Sequence, residues 1–298
     1  MTPPKATDAL HEAQMLSSPP EPAAEAPAPA PAPPARKRTD MADRWLPLAG
    51  GLGFLALWQV AVKVLAISPF TLPPPSAVFV ALWQDGPELL HALAFTAAIT
   101  LSAFLLALAS GVMLGVALTQ NRRIERMLWP YAVALQVTPM VAIAPLVVIW
   151  VGLSRAWLAL LVLAWVVAFF PILSNTVLGM KSADHGLKNV FTLYRASRWQ
   201  RFCHLQLPAA LPYIIAGMRV SAGLSVIGAV VAEFVAGSGG TTGLAWVITQ
   251  SGSMLDIARM FAALVVLTAF GLAMNMATGL IQRLLLGAWH ESAIEQEN

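Results

Sequence analysis

The sequence predicts an all-α membrane protein with six transmembrane helices, and three observations carry the prediction. Hydrophobic residues make up 58% of the 298 positions and charged residues only 11%, against about 25% charged in a typical soluble domain. Mean hydropathy is +0.70 over the whole chain, although the first forty residues are polar and dilute it. The apolar residues gather into charge-poor windows long enough for helices, since roughly 20 residues cross about 30 Å of hydrocarbon. Transmembrane strands would alternate in polarity over about ten residues, and these windows do not.

The segments follow in order. Residues 1–43 include Pro19-Pro20-Glu21-Pro22 and the Ala/Pro stretch Ala26 to Ala35, a composition that cannot bury a core, so a disordered tail is expected. The basic cluster Arg36-Lys37-Arg38 and Arg44 stand before the first apolar window only after this tail, unlike a cleavable signal peptide. Span one runs Trp45 to Val62, span two lies in Leu89 to Asn121, span three fills Met127 to Ser154 and span four Ala156 to Met180. Span five extends from near Pro212 to about Ala236, interrupted by Arg219 and Glu233, and span six from Met260 to Gln282. Between spans one and two, Ser68 to Leu90 carries Pro69, Pro73, Pro74 and Pro75 and reads as a surface segment. Gly237 to Gly243 reads as a flexible turn beyond span five. Residues 44–290 thus form one membrane domain, with a short tail over 291–298.

Charge orients the bundle. Lys and Arg accumulate on the cytoplasmic side, and fifteen of the 18 here fall in the tail, the second and fourth connections and the C-terminal end. Only Lys63, Arg155 and Arg259 fall on the other side, which predicts six spans with both termini cytoplasmic. The net charge of +3 is read as topology, not as nucleic-acid binding.

The long inner connection, residues 181–211, is basic yet neither low-complexity nor plainly membranous. Val190 to Leu205 mixes Phe191, Leu193, Tyr194, Trp199 and Phe202 with Arg195, Arg198 and Arg201. Tyr194 and Arg198 are four apart, so a short helix would present aromatic and basic groups together, ended by Pro208 and Pro212. Two readings fit these residues alone: a helix lying on anionic headgroups, or a protein docking site anchored by aromatics and Arg.

The run Leu193-Tyr194-Arg195-Ala196-Ser197-Arg198-Trp199-Gln200, with Leu207-Pro208-Ala209-Ala210-Leu211-Pro212 and Gly217-Met218-Arg219-Val220, resembles the cytoplasmic signature loop of binding-protein-dependent ABC importer permeases. Gln136-Val137-Thr138-Pro139-Met140-Val141-Ala142-Ile143-Ala144-Pro145-Leu146, Trp150-Val151-Gly152 and Ala232-Glu233-Phe234 resemble the nitrate/sulfonate/taurine class. The resemblance covers about Trp45 to His290. It implies a type I importer permease fold in a bacterial inner membrane, with a second copy of the chain, two ABC ATPase subunits that bind the ATP, and a periplasmic or lipid-anchored substrate-binding protein. It further implies that the loop is the coupling helix, with Tyr194, Ala196, Ser197, Arg198, Trp199 and Phe202, together with Arg195, Leu207 and Pro208, meeting the ATPase. The family loop usually opens with Glu-Ala-Ala and has a Gly further on. Here Asn189, Val190 and Phe191 stand at the first element and Arg195 at the Gly, so Arg195 either adopts a backbone costly for a residue with a Cβ or the turn relaxes.

Within the spans, Gln136, Thr138 and Pro139 are candidates for the translocation path, because internal prolines free carbonyls that a water-filled cavity can satisfy; a kink packed against neighbours is the alternative. Glu233 is the one acidic residue inside a span, a functional candidate by default, although near the outer end it can equally cap the Gly-rich turn. Ser221, Ser225, Gly228 and Ala232 form a small-residue stripe, as do Ala107, Gly111 and Gly115, and Gly271, Asn275 and Gly279, all suited to close helix packing; Asn275 is retained as a path candidate. No nucleophile and base stand together, no Walker-type loop is present, and the single cysteine, Cys203, with five scattered His residues offers no metal spacing. No cofactor, metal site or enzyme activity is expected. The rival function is a secondary transporter or channel without an ATPase, which predicts paired intramembrane ionisable groups or inverted repeats.

Overall fold

The computed structural model describes residues 41–236 and 242–286. Most of the expected tail, residues 237–241 of the Gly237 to Gly243 turn and the C-terminal tail lie outside the described residues. The described chain is helical, with no strand among the described residues: α1 Met41–Val64, α2 Pro75–Gln84, α3 Gly86–Gln120, α4 Arg122–Val137, α5 Met140–Val151, α6 Ala156–Lys181, α7 His185–Leu193, α8 Arg198–Arg201, α9 Leu207–Ala236, α10 Leu244–Ser253 and α11 Ile257–Leu286. A 3₁₀ turn, Leu153–Arg155, precedes α6, and a π-helical turn, Phe202–Gln206, joins α8 to α9. Residues up to Leu52 form one unit, whose described part is the start of α1, and residues from Gly53 the other.

Among the described residues, four helices are long and apolar enough to cross a bilayer: Gly86–Gln120, Ala156–Lys181, Arg198–Val235 and Ile257–Leu285. A fifth crossing results if α4 and α5, bent by 100° at their junction, count as one broken span. The break is local in origin. Thr138 precedes Pro139, whose ring disfavours the helical region for its neighbour, and both residues are extended, with ψ of 125° and 103°. The first window forms α1, whose apolar part Leu48–Val64 reaches only about 26 Å at 1.5 Å per residue. α1 meets the following segment through Gln59, whose Nε2 donates to Ser76 Oγ at 3.2 Å and whose Oε1 accepts from Ser76 N at 3.1 Å.

The helix α6 is central, packing along α9 on one side and α3 on the other. Lipid provides no hydrophobic drive for helix association, so small residues that let backbones approach dominate such contacts. A Cβ on Gly111 would lie 2.8 Å from Ile172 Cγ2, one on Gly115 2.7 Å from Thr176, and one on Gly228 3.0 Å from Ala164 Cα. Ser221 Oγ adds an interhelical bond by donating to the Ala168 carbonyl at 2.6 Å. The ridges on spans two and five therefore both close onto α6. Nothing described lies within 4 Å of a Cβ built on Gly271 or Gly279.

The inner connection differs from the sequence expectation. α7 ends at Leu193, and the chain turns through Tyr194 to Ala196 before α8, so Tyr194 and Arg198 do not share a helix. Neither Pro208 nor Pro212 stops the next helix, and Arg198–Val235 runs as one element of 38 residues. The π turn explains Pro208: Leu207 N–H donates to the Phe202 carbonyl five residues back, and this wider turn takes in a residue that has no N–H of its own. Packing holds Pro212 in place, since Gly179 lets Ala210 and Tyr213 come so close that a Cβ there would lie 2.9 Å from Ala210 Cα.

Candidate functional site

Three places bear on function. The first is the loop between α6 and α9, which is tied down at both ends. The Lys181 ammonium pairs with Glu125 of α4, and Ser182 Oγ donates to the Gly179 carbonyl at 2.8 Å. Asp184 caps α7 by accepting from Gly186 N at 2.6 Å. At the other end of α7, Ala196 N donates to the Phe191 carbonyl at 2.9 Å and Arg195 N to the Thr192 carbonyl at 3.0 Å. That pair of bonds is the Schellman arrangement, which places its C′ residue in the left-handed region. The C′ residue is Arg195, with φ +51°. A side chain with a Cβ costs about 1 kcal/mol there relative to glycine, so Arg195 keeps the tight turn.

α8 then starts on a capping box: Gln200 N donates to Ser197 Oγ at 3.2 Å, and Ser197 N donates to Gln200 Oε1 at 2.9 Å. Trp199 stacks on Phe202 with ring centroids 5.5 Å apart, and an Arg201 guanidinium nitrogen donates to Thr192 Oγ1 at 3.3 Å, tying α8 back to α7. These bonds fix the backbone and leave large apolar side chains outward: Leu193 is 82% exposed, Tyr194 81% and Trp199 71%. Arg195, Ser197, Arg198, Leu207 and Pro208 are exposed, while Ala196 and Phe202 are half-buried. An ordered segment that exposes aromatics among cations has the composition of an interface core.

The second place is a cavity of about 390 Å³ bounded by α4, α5, α6 and α9, lined by Gln136, Met140, Phe170, Pro171, Leu224 and Val231 among others. None of its lining residues is charged, and Gln136 supplies the side-chain amide. The break turns α5 away from α4, and Thr138 and Pro139 themselves lie outside the lining, between Gln136 and Met140, which are in it. Thr138 itself closes the end of α4, its hydroxyl donating to the Ala134 carbonyl at 2.7 Å. Phe170, Pro171 and Leu224 were not singled out from sequence, because apolar residues in an apolar span carry no signal of their own.

The third place surrounds Glu233. Its side chain is fully buried and lies outside the lining of the cavity, as does Asn275, which is exposed on α11. Thr96 Oγ1 donates to Glu233 Oε1 at 2.8 Å, and Ala245 N donates to Oε2 at 3.0 Å. Leu244 N in turn donates to Thr96 Oγ1 at 2.9 Å. The carboxylate and the threonine together satisfy the first amides of α10, where a helix start favours negative charge. Gly243 is required beside them, because a Cβ there would collide with the Glu233 carboxylate. The clasp joins α3, α9 and α10. Thr96 had no sequence signal, since it lies 137 positions from Glu233.

Comparison with known proteins places the chain as a whole. Residues 107–287 match the family described as binding-protein-dependent transport system inner membrane component. The riboflavin transport system permease protein of Chloroflexus aurantiacus is 35% identical over 241 residues, 80% of this chain and 87% of that one. The formylaminopyrimidine transport permease protein of Halalkalibacterium halodurans is 29% identical over 236 residues, 79% of this chain and 92% of that one. The taurine transport system permease protein of Escherichia coli is 28% identical over 244 residues, 79% of this chain and 86% of that one.

Proposed function

Because the chain belongs to the binding-protein-dependent transport system inner membrane components, and is thus a multi-pass inner-membrane permease for a small solute and not an enzyme, we propose how it couples that transport to ATP. Two ABC ATPase subunits bind and hydrolyse ATP and dock on the loop over residues 181–211 of two copies of this chain, and a periplasmic or lipid-anchored binding protein delivers the solute. Residues 44–290 form the permease domain with six spans and both termini cytoplasmic, the first span being α1 and the third the broken pair α4 and α5. The contact residues are Tyr194, Arg195, Ala196, Ser197, Arg198, Trp199 and Phe202, with Leu207 and Pro208 at the root of the following helix. The observation that carries this reading is the ordered exposure of Leu193, Tyr194 and Trp199 on a segment braced by the Lys181–Glu125 ion pair.

The path runs past the break in span three, with Gln136, Thr138 and Pro139 beside it, while Glu233 and Asn275 act at its margins. A lining without charged residues, whose one side-chain amide is Gln136, supports a small polar solute, either nitrate-, sulfonate- or taurine-like, as for the taurine permease, or a vitamin or vitamin precursor such as the riboflavin or formylaminopyrimidine of two relatives. A secondary transporter or channel would instead need paired ionisable groups in the spans, and the carboxylate of Glu233 is bonded within the fold to Thr96 and Ala245.

Affinity purification of the tagged chain, wild type beside Trp199→Asp, tests the coupling. An ATPase subunit should accompany the wild type and be lost from the variant with membrane insertion intact. An ATPase retained at full stoichiometry by Trp199→Asp refutes the docking assignment.

A further inference from the structure

We propose that Arg195 is an acid-pairing contact with the ATPase partner: its guanidinium meets a carboxylate on the docking face of that subunit. The inference rests on the reading that the loop docks an ATPase. Arg195 holds the left-handed C′ position of α7, with φ +51°, where glycine carries no steric cost. The Schellman bonds set this backbone, as they do at Ala66 and Leu255, and they leave the side chain unengaged: Arg195 is exposed, and neither it nor Arg198 has an ion-pair partner among the described residues. Both cations lie between Tyr194 and Trp199, the most exposed aromatics of the loop. Between Lys181 and Leu211 the only carboxylate is Asp184, and it is occupied in capping α7. The loop therefore presents unneutralised positive charge between apolar anchors, which complements a carboxylate set within an apolar docking cleft.

Length decides between a protein and a lipid headgroup as the source of the negative charge. α9 has 30 residues, which at 1.5 Å each span about 45 Å. A bilayer with its headgroups is about 40–45 Å thick. α8 and the π turn continue the same helix for nine further residues, Arg198 to Gln206, which adds about 13 Å. A helix crossing the membrane near its normal thus holds Arg195 and Arg198 beyond the headgroups, in water, where a soluble subunit can reach them.

The test uses the full-length chain in nanodiscs and the ATPase subunit that copurifies with it, and measures their affinity at low and high ionic strength. Glycine relieves the backbone cost while removing the charge, so Arg195→Gly separates the two roles of the residue without endangering the fold. Arg195→Gly should weaken binding about fivefold at low ionic strength, the range of an exposed charge pair, and flatten its salt dependence. Arg195→Lys should retain most of the affinity, and Arg195→Glu should lose more than Arg195→Gly. Binding by Arg195→Gly as tight as wild type, with the same salt dependence, overturns the proposal. So does an effect seen only when phosphatidylglycerol replaces part of the phosphatidylcholine, which would assign the guanidinium to lipid. Trp199→Asp run in parallel tells the two failures apart: loss of binding there with no effect at Arg195 leaves the docking loop standing, while undiminished binding removes it.

Discussion

Replacing Glu233 with alanine should destabilise the protein before it affects any solute. The carboxylate accepts from Thr96 Oγ1 at 2.8 Å and from Ala245 N at 3.0 Å in a fully buried site. Each donor stranded by its loss costs about 1–3 kcal/mol, and relief from burying a charge offsets part of that. A net loss of about 2–4 kcal/mol remains, a fall of about 5–10 °C in unfolding temperature for a chain of this size. Glu233→Gln keeps an acceptor for Ala245 N and should lose less than half as much. Thr96→Val removes the other partner and leaves Leu244 N without its acceptor, so the double variant Glu233→Ala/Thr96→Val should be less unstable than the sum of the singles by about 1 kcal/mol. Thermal unfolding in detergent, followed by tryptophan fluorescence, measures all four, and uptake into proteoliposomes is recorded beside it. An unchanged unfolding temperature in Glu233→Ala together with abolished uptake would refute the clasp and place the carboxylate on the path.

Gly115→Ala should lower the unfolding temperature, because the added carbon falls 2.7 Å from Thr176 in the core of the bundle, whereas Gly279→Ala, with nothing within 4 Å, should leave it unchanged; the same melting assay compares them. Gln136→Leu should keep the fold and lower uptake of the chain's small solute by about tenfold, the worth of one well-placed hydrogen bond, and unchanged uptake would take Gln136 off the path.

Legibility in the sequence follows the range of the forces involved. Of the six spans expected, four appear as long apolar helices and a fifth as the broken pair α4 and α5; these were visible because hydropathy needs only a run of residues, and the break before Pro139 because proline acts on its immediate neighbour. Its angle was not, since that depends on how α5 seats against α6. The loop was found through its aromatic and basic content, but its shape was misjudged: Ser197 with Gln200 forms a capping box, and this local device ends any helix joining Tyr194 to Arg198. Pro208 and Pro212 were read as stops, and a π turn with packing at Gly179 overrode them. The strain at Arg195 was anticipated as one of two outcomes, and the structure takes the tight turn. Thr96 was invisible because its role is created entirely by the chain returning from Glu233, and the apolar wall of the cavity was invisible because it differs from lipid-facing helix only in which side it turns.

The run from Arg198 to Val235 has one mechanical property that its parts lack. Docking residues stand at its start and the Glu233 clasp near its end, 38 residues of nearly continuous helix between them, about 57 Å of rod. A rocking of 10° about its middle would move both ends by about 5 Å in opposite directions, on the rise of an α-helix. If an ATPase docks at Trp199 as proposed, the gearing of such a rod would be nearly one to one, and the grip at Trp199 would itself time movement at the far surface, with no separate signal needing to cross the bundle.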